Sequence, residues 1–415
     1  MEVTLVPDLL VVGAGPAGMT AAIAAAERGA RVLLCEQLAK PGRKLLASGG
    51  GRCNLTNTLG SEEQLARFGK QGRFAREILT EHDSRWLRRF MSALGVETHA
   101  PDGMRVFPTT HRAVTVLDAL RARLDALQVE LRVDCQVTGL WREADELRGI
   151  ETSDGRIQAA AVVVATGGKS YPELGATGSG YALAAAAGHQ LADPYPAMVP
   201  LLTSERWPAR CTAHTMPKTT VFIDLPRHRA LRATGDLIFT RQGLAGPVIL
   251  DLSRELPPLL EQHGAVPLVL ELTGGRGQEG WRETLTRWRA GQAGTPVSSA
   301  LARELPAPLA EVMCELAEVP AGCRLGELRR GAQARLAELL ARTPIEVRGT
   351  EGFDRAMVTR GGVQLGQVDP STLESRLLPS LYFCGEVLDL DGPCGGYNLQ
   401  WAFASGWRAG QLGCL

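Results

Sequence analysis

The chain has 415 residues, 45% hydrophobic and 22% charged, with Lys+Arg and Asp+Glu both totalling 45. That length holds two or three domains with full cores, and the charge balance excludes the global field of a dedicated nucleic-acid binder, so no DNA partner is expected. No apolar run spans a bilayer, the N-terminus lacks signal-peptide features, and nine scattered cysteines never form C-x-x-C, so a cytoplasmic protein with reduced thiols, no membrane contact and no metal site is expected.

Leu9 to Glu36 is the stretch around which the chain is organised. Leu9, Leu10, Val11 and Val12 read as a strand buried on both faces. Gly13, Gly15 and Gly18 come next at G-x-G-x-x-G spacing, for a tight turn, backbone approach to a pyrophosphate and close helix packing. Met19 to Arg28 is an Ala-rich helix with Gly29 just past its end. Arg31 to Cys35 is a second apolar strand, and Glu36 ends it where a ribose diol would be held. Strand, helix, second strand and terminal acid together predict a dinucleotide site.

The next segment, Lys40 to Asn57, contains Gly49, Gly50 and Gly51, a backbone suited to lying close to a ligand. Arg43 and Lys44 precede it; Arg52, Cys53 and Asn54 come after. Two readings stand. Either the loop lies against the cofactor, with Arg52 near phosphate or substrate and Cys53 near the redox ring, or it is a plain loop holding a small buried Cys. A dithiol reductase is excluded, because Cys53 has no nearby second Cys. Leu65 to Leu94 is predicted helical, with Trp86 and Phe90 in the core. From Lys40 to Phe90 basic residues exceed acidic ones by six. That excess suits either a solvated face or an RNA partner.

GMRVFP, after Asp102, reads as a short loop, followed by a helix from Ala113 to Leu127. His111, just before it, reads as a proton donor or as polar surface. Val129 to Gln158 reads as a β-meander. Ala159 to Gly168 is a further buried strand ending in Thr166-Gly167-Gly168, and Gly175, Gly178 and Gly180 precede a second Ala-rich helix. Pro194, Pro196 and Pro200 mark a boundary. Beyond them, β-like runs (Thr219–Leu225, Val248–Leu252, Val266–Leu272) and helices around 281–289, 298–318 and 325–342 suggest an inserted substrate domain. Gly275, Gly277 and Gly280 repeat the glycine spacing, but no second strand with a terminal acid comes after them, so they read as a connecting loop. Leu381 to Gly410 closes the chain with a strand, Gly385-Glu386, a Gly-rich turn and a small-residue helix. A helix N-terminus near Gly396-Tyr397-Asn398 would stabilise negative charge on a reduced flavin at its N1–C2=O edge, and Glu386 would bond ribityl hydroxyls.

The pieces VVGAGPAGMTAA, KLLASGGGRCNLTN, GMRVFP, ATGGKSYPELGATGSGY, GDLIFTRQGLAGPVIL, AMVTRGGV and LYFCGEVLDLDGPCGGYNLQWAFASG resemble, in that order, the YhiN/BaiN-like bacterial flavoproteins. These form the BaiN/RdsA family of NAD(P)/FAD-dependent oxidoreductases. The match runs from about residue 8 to 410 and is weakest over 276–340. It implies an α/β fold: an FAD-binding Rossmann-like domain of the glutathione-reductase type with an inserted β-barrel-like domain and a helical subdomain. The implied division is 1–192 and 356–415 for FAD, 193–275 and 343–355 for the β-rich insert, and 276–342 for the helical part.

The resemblance implies an FAD site made by Gly13, Gly15, Pro16, Ala17, Gly18, Glu36, Gln37 and Lys44. Gly50, Gly51, Arg52, Asn54, Val137, Ala165, Thr166 and Gly167 continue it. Gly385 and Glu386 meet the ribityl-phosphate, Asp391 lies nearby, and Gly396, Tyr397, Asn398 and Leu399 meet the ring. The function expected is hydride transfer through flavin N5, with NAD(P)H reducing an activated C=C bond in a small molecule or in ribosomal RNA uridine. Cys53 and Tyr397 are the expected proton donors. An amine oxidase and a non-catalytic flavin-binding regulator are the rival functions.

Overall fold

Leu9–Val12 is the middle strand of a five-stranded parallel sheet in the computed structural model, which describes residues 6–413. Across the sheet the order is Leu381–Phe383, Ala161–Val164, Leu9–Val12, Val32–Cys35 and Glu130–Arg132. Leu10 pairs with Val162 on one side and Leu33 on the other. Every residue of the central strand is buried, as a parallel sheet covered on both faces requires.

The first helix, Pro16–Ala26, and the last, Tyr397–Gly410, meet backbone to backbone. A Cβ on Gly406 would stand 2.2 Å from the Ala17 carbonyl oxygen, and one on Gly410 2.2 Å from that of Ala21. Only glycine permits so close an approach.

The chain divides into two compact units: residues up to Tyr195 together with those from Met357 onward, and Pro196–Ala356. The second unit contains a closed barrel of six antiparallel strands in the order Leu201–Thr203, Gly243–Ala245, Arg232–Phe239, Thr215–Ile223, Val266–Glu271 and Thr343–Thr350. Helices Gly277–Gly291, Ala307–Leu316 and Arg330–Ala341 share a core with it that includes the fully buried Trp281.

Several local expectations need correction. Val248–Leu252 is not a strand but lies in the helix Pro247–Leu252, because Pro247 takes the first helical position after Gly246. GMRVFP is not a loop: Arg105–Pro108 pairs with both Thr56–Asn57 and Thr98–His99. Leu65 to Leu94 breaks into Ser61–Arg67, Gly72–Glu81 and Ser84–Ala93, the last restarted by the Asp83 carboxylate accepting from the Trp86 N–H at 2.8 Å. Glu130–Arg132 joins the main sheet, so the meander is only Val137–Glu143, Glu146–Thr152 and Gly155–Gln158. Gly277 opens a helix rather than sitting in a loop, and Gly280 lies inside it. The next strand then returns antiparallel to Val266–Glu271, so no dinucleotide-binding βαβ unit forms there.

Candidate functional site

The three glycines after the first strand have different surroundings. A Cβ on Gly13 would lie 2.7 Å from the Ala165 carbonyl oxygen, and one on Gly18 1.9 Å from that of Gly13; protein fills both places. A Cβ on Gly15 meets nothing within 4 Å. That open space lies at the start of Pro16–Ala26, whose cap residue supplies no side-chain acceptor. Pro16 takes the first helical position, and Ala17 and Gly18 come next at a positive dipole end. Room beside uncapped N–H groups is what a pyrophosphate needs.

Glu36 is 8% exposed. Its Oε2 accepts from the Ala14 N–H at 2.9 Å and its Oε1 from the Leu38 N–H at 3.0 Å. Each oxygen keeps a second lone pair, which suits a ribose diol. Gln37 donates through Nε2 to the Gly175 carbonyl at 2.5 Å. The Cys135 N–H donates to the Glu36 carbonyl at 2.9 Å, bringing Val137 at the head of the meander towards the same edge. The Ala165 N–H donates to the Val12 carbonyl at 2.8 Å, so Ala165, Thr166 and Gly167 leave their strand beside Gly13. Gly167, at φ 74, also faces open space.

A second group forms around Glu386. Lys44 Nζ lies 2.8 Å from Oε2 and 3.0 Å from Oε1, and donates to Ser170 Oγ at 2.6 Å. Oε1 also accepts from Ser170 Oγ at 3.0 Å and from the Thr359 N–H at 2.9 Å. Thr359 Oγ1 accepts from the N–H groups of Lys169 and Ser170 at 2.8 and 3.1 Å, fixing the turn that carries Ser170. Oε1 is therefore crowded with donors while, among the described residues, Oε2 receives only Lys44, and the remaining acceptor capacity lies on Oε2. A Cβ on Gly168 would stand 2.8 Å from Oε1, which explains the glycine there. Gly385 is anchored by its N–H donating to Ser405 Oγ at 3.0 Å and its carbonyl accepting from Trp401 Nε1 at 3.2 Å.

Three amides hold the Gly-rich turn before the last helix. The Asn54 oxygen accepts from the Gly396 N–H at 3.1 Å while its nitrogen donates to the Thr56 carbonyl at 3.0 Å. Asn57 Nδ2 donates to the Gly395 carbonyl at 3.0 Å. Asn398 grips Gly392 from both sides, accepting from its N–H and donating to its carbonyl, each at 2.8 Å. The helix then begins at Tyr397 without a side-chain cap, and Leu399 in its first turn is half-buried. Asp391 is fully buried. Burial first, and the neighbouring Asp391 charge second, push the Asp389 carboxyl above its usual range. Gly50 faces open space at φ 65, Gly51 is next to it at φ 83, and Arg52 is exposed beside them.

The structure places both proton donors expected by resemblance, Cys53 and Tyr397, in the interior. Cys53 has no exposed surface and Tyr397 is 2% exposed. Burial pushes the Cys53 thiol up to about 12, with the Ser48 hydrogen bond a smaller opposing effect. Tyr397 sets its ring against the edge of Phe68 at 6.1 Å. Both side chains belong to the core of the first unit. Conversely, Ser170, Thr359, Asn57 and Ser405 were not singled out from the sequence. Their only signal is membership of the motif stretches, since isolated Ser, Thr and Asn residues carry no spacing pattern.

The sheet, the open cradle at Gly15 and the two held carboxylates define a Rossmann-type dinucleotide-binding domain, and with the relatives that follow the chain is an FAD-dependent oxidoreductase. Residues 7–412 match the HI0933-like protein Rossmann domain, and the chain belongs to that family. It is 33% identical to the 3-dehydro-bile acid delta(4,6)-reductase of Clostridium scindens, over 97% of both chains. It is 29% identical to the ribosomal RNA dihydrouridine synthase of Escherichia coli, again over 97% of both. Among solved structures, the 3-ketosteroid delta1-dehydrogenase of Sterolibacterium denitrificans superposes with a TM-score of 0.54 at 14% identity, covering 98% of this chain and 99% of that one. That likeness is one of fold. No helix of the described residues is long and apolar enough to cross a membrane.

Proposed function

We propose that this chain reduces an activated C=C bond, with FAD bound in the cradle and NAD(P)H as a transient co-substrate in the cytoplasm. The observation that carries the reading is end-to-end similarity to two proteins whose names share one chemistry, the saturation of a conjugated double bond. Bound FAD supplies hydride transfer through its N5 atom. The protein supplies binding, orientation and electrostatics. Gly13, Gly15, Pro16, Ala17 and Gly18 hold the pyrophosphate at the start of the first helix. Glu36 accepts from the adenosine ribose through its remaining lone pairs, with Gln37, Val137, Ala165, Thr166 and Gly167 along that end. Glu386 accepts a ribityl hydroxyl at Oε2, held in place by Lys44. The start of the last helix, Gly396 to Leu399, stabilises negative charge on the ring, and the Gly50–Asn54 loop closes over it.

The test is anaerobic mixing of the yellow protein with NADH, NADPH or aminoacetone, following the flavin band at about 450 nm. Bleaching by a nicotinamide is expected, followed by recovery on adding a 4-en-3-one steroid or a uridine-containing RNA. These acceptors separate the small-molecule and RNA substrates. Bleaching by the amine alone would make the protein an oxidase and end the reductase reading.

A further inference from the structure

With the Cys53 and Tyr397 side chains in the core, the structure pairs His111, which the sequence also offered as a proton donor, with a second histidine that spacing does not reveal. His99 and His111, twelve residues apart, bring their Nε2 atoms to 2.8 Å, with ring centroids 4.6 Å apart at 72°. Both rings are partly exposed. At this separation the nitrogens must share a hydrogen: one ring donates and the other accepts. A first added proton is retained as a charge-assisted bond, whereas a second would set two donors against each other. The geometry therefore suits a pair that shares one hydrogen between its rings.

Its placement links it to the proposed ring-binding end. His111 lies against the Phe107 ring at 5.6 Å, and the Arg52 guanidinium covers the same ring at 5.3 Å. Arg52 directly precedes Cys53 and Asn54, whose amide accepts from the Gly396 N–H at the start of the last helix. The Thr56 carbonyl stands 2.6 Å from where a Gly396 Cβ would be, and Thr56 pairs with Val106 and His99 with Phe107 in one small sheet. Two strand spacings, roughly 10 Å, separate the backbones of Thr56 and His99. The charged groups on the elements around the pair are Arg52 on the glycine loop, Arg105 paired with Asp102 at 2.6 Å, Arg88 bonded to Thr98, the exposed Arg112, and Glu97, whose carboxylate accepts from Ser92 Oγ at 3.0 Å.

We propose that His99 and His111 act as one proton-holding unit that supplies the substrate proton during reduction of the double bond. This rests on the reductase reading. The hydride adds to one carbon of the C=C bond, the proton leaves the imidazolium for the other carbon, and solvent returns a proton to the now neutral pair. No further oxidant or reductant is required.

The first arm of the test is pH titration of the flavin-loaded protein by NMR with ring-labelled histidine. In the wild type the two rings should respond together, with one proton taken up by the pair. In His111→Asn, chosen because Asn tolerates the left-handed φ of 51 at this position, His99 should titrate alone. Independent titration of both rings in the wild type would overturn the shared unit. The second arm reduces the flavin with dithionite and follows its reoxidation by 2-cyclohexen-1-one, a 4-en-3-one steroid or a uridine-containing RNA. His99→Asn and His111→Asn should retain FAD and circular dichroism, yet slow reoxidation at least tenfold at neutral pH. Unchanged reoxidation in both variants would remove the donor role while leaving the reductase intact. Failure of the wild type with every acceptor would instead overturn the reductase reading, and the donor role with it.

Discussion

The two ends of the proposed cofactor site are built on opposite principles. The end at Gly13–Glu36 comes from 24 consecutive residues and acts mainly through backbone: an uncapped helix start, two glycines in contact with protein and one that is not. The end at Glu386 comes from four separated segments, carrying Lys44, Ser170, Thr359 and Glu386, and acts through side chains. A backbone site is specified by where the chain turns, so it tolerates no added volume. A side-chain site is specified by mutual orientation, so it weakens by degrees.

Substitutions can break that comparison. The largest effect is expected from Gly18→Val, whose Cβ must enter space held 1.9 Å from the Gly13 carbonyl. Loss of soluble folded protein, measured by expression and thermal melting, is the expected result. Gly15→Ala adds the same atom to open space, so the melting temperature of the flavin-free protein should be preserved. FAD affinity should nevertheless fall tenfold or more, measured by flavin fluorescence titration. Equal damage at Gly15 and Gly18 would mean that Gly15 is structural and faces no ligand.

At the other end, Lys44→Met and Glu386→Gln each remove a charge-assisted hydrogen bond, an effect of about 1.5–3 kcal/mol, or roughly ten- to a hundredfold in FAD affinity. Ser170→Ala removes the hydroxyl that accepts from Lys44 and donates to Glu386 but leaves their ion pair in place, an effect at the low end for bonds to charged groups, about 1.5 kcal/mol or roughly tenfold. Ser170→Thr, which keeps the hydroxyl, should restore most of it. A Ser170→Ala loss as large as that of Glu386→Gln would show that Ser170 itself meets the cofactor.

The smallest expected effect is a dependence of stability on pH. His82 and His189 are 3% and 4% exposed, and the Nδ1 of each is buried without a hydrogen-bond partner among the described residues. Burial holds both imidazoles below their ordinary value. Below about pH 6.5 the unfolded chain binds more protons at these positions than the folded one. Stability present above that pH is therefore lost as the pH falls through the window beneath it. Melting between pH 7.5 and 5.5 should show the decline, and His82→Gln with His189→Gln should flatten it. An unchanged slope in the double variant would assign the decline to other groups.

The same contrast explains what could be read from the sequence. Leu9–Val12, the glycine spacing and Glu36 were legible because a parallel strand, a turn and a helix start each impose a short-range pattern. The barrel was harder to delimit: Val248–Leu252 has the β-branched composition of a strand, yet Pro247 starts a helix through it. GMRVFP was too short to show an alternation, and its strand character comes from the two segments that flank it in space. Ser170 and Thr359 become visible only when residues 189 positions apart meet. The burial of the Cys53 side chain was hidden for the related reason that adjacency in sequence does not reveal which side of a turn a side chain takes.

The glycine contacts between the first and last helices fix a length as well as a fit. Ala17 lies against Gly406 and Ala21 against Gly410, so the two helices run in the same direction with a constant offset. Counting back from that contact, the last helix begins eight residues before the start of the first along their shared direction, about 12 Å at 1.5 Å per residue. With backbone against backbone, no flexible side chain lies between them to absorb a change in spacing. The helix pair is a rigid caliper whose two jaws are positive helix ends, so in the proposed site its setting would favour a ligand long enough to touch both.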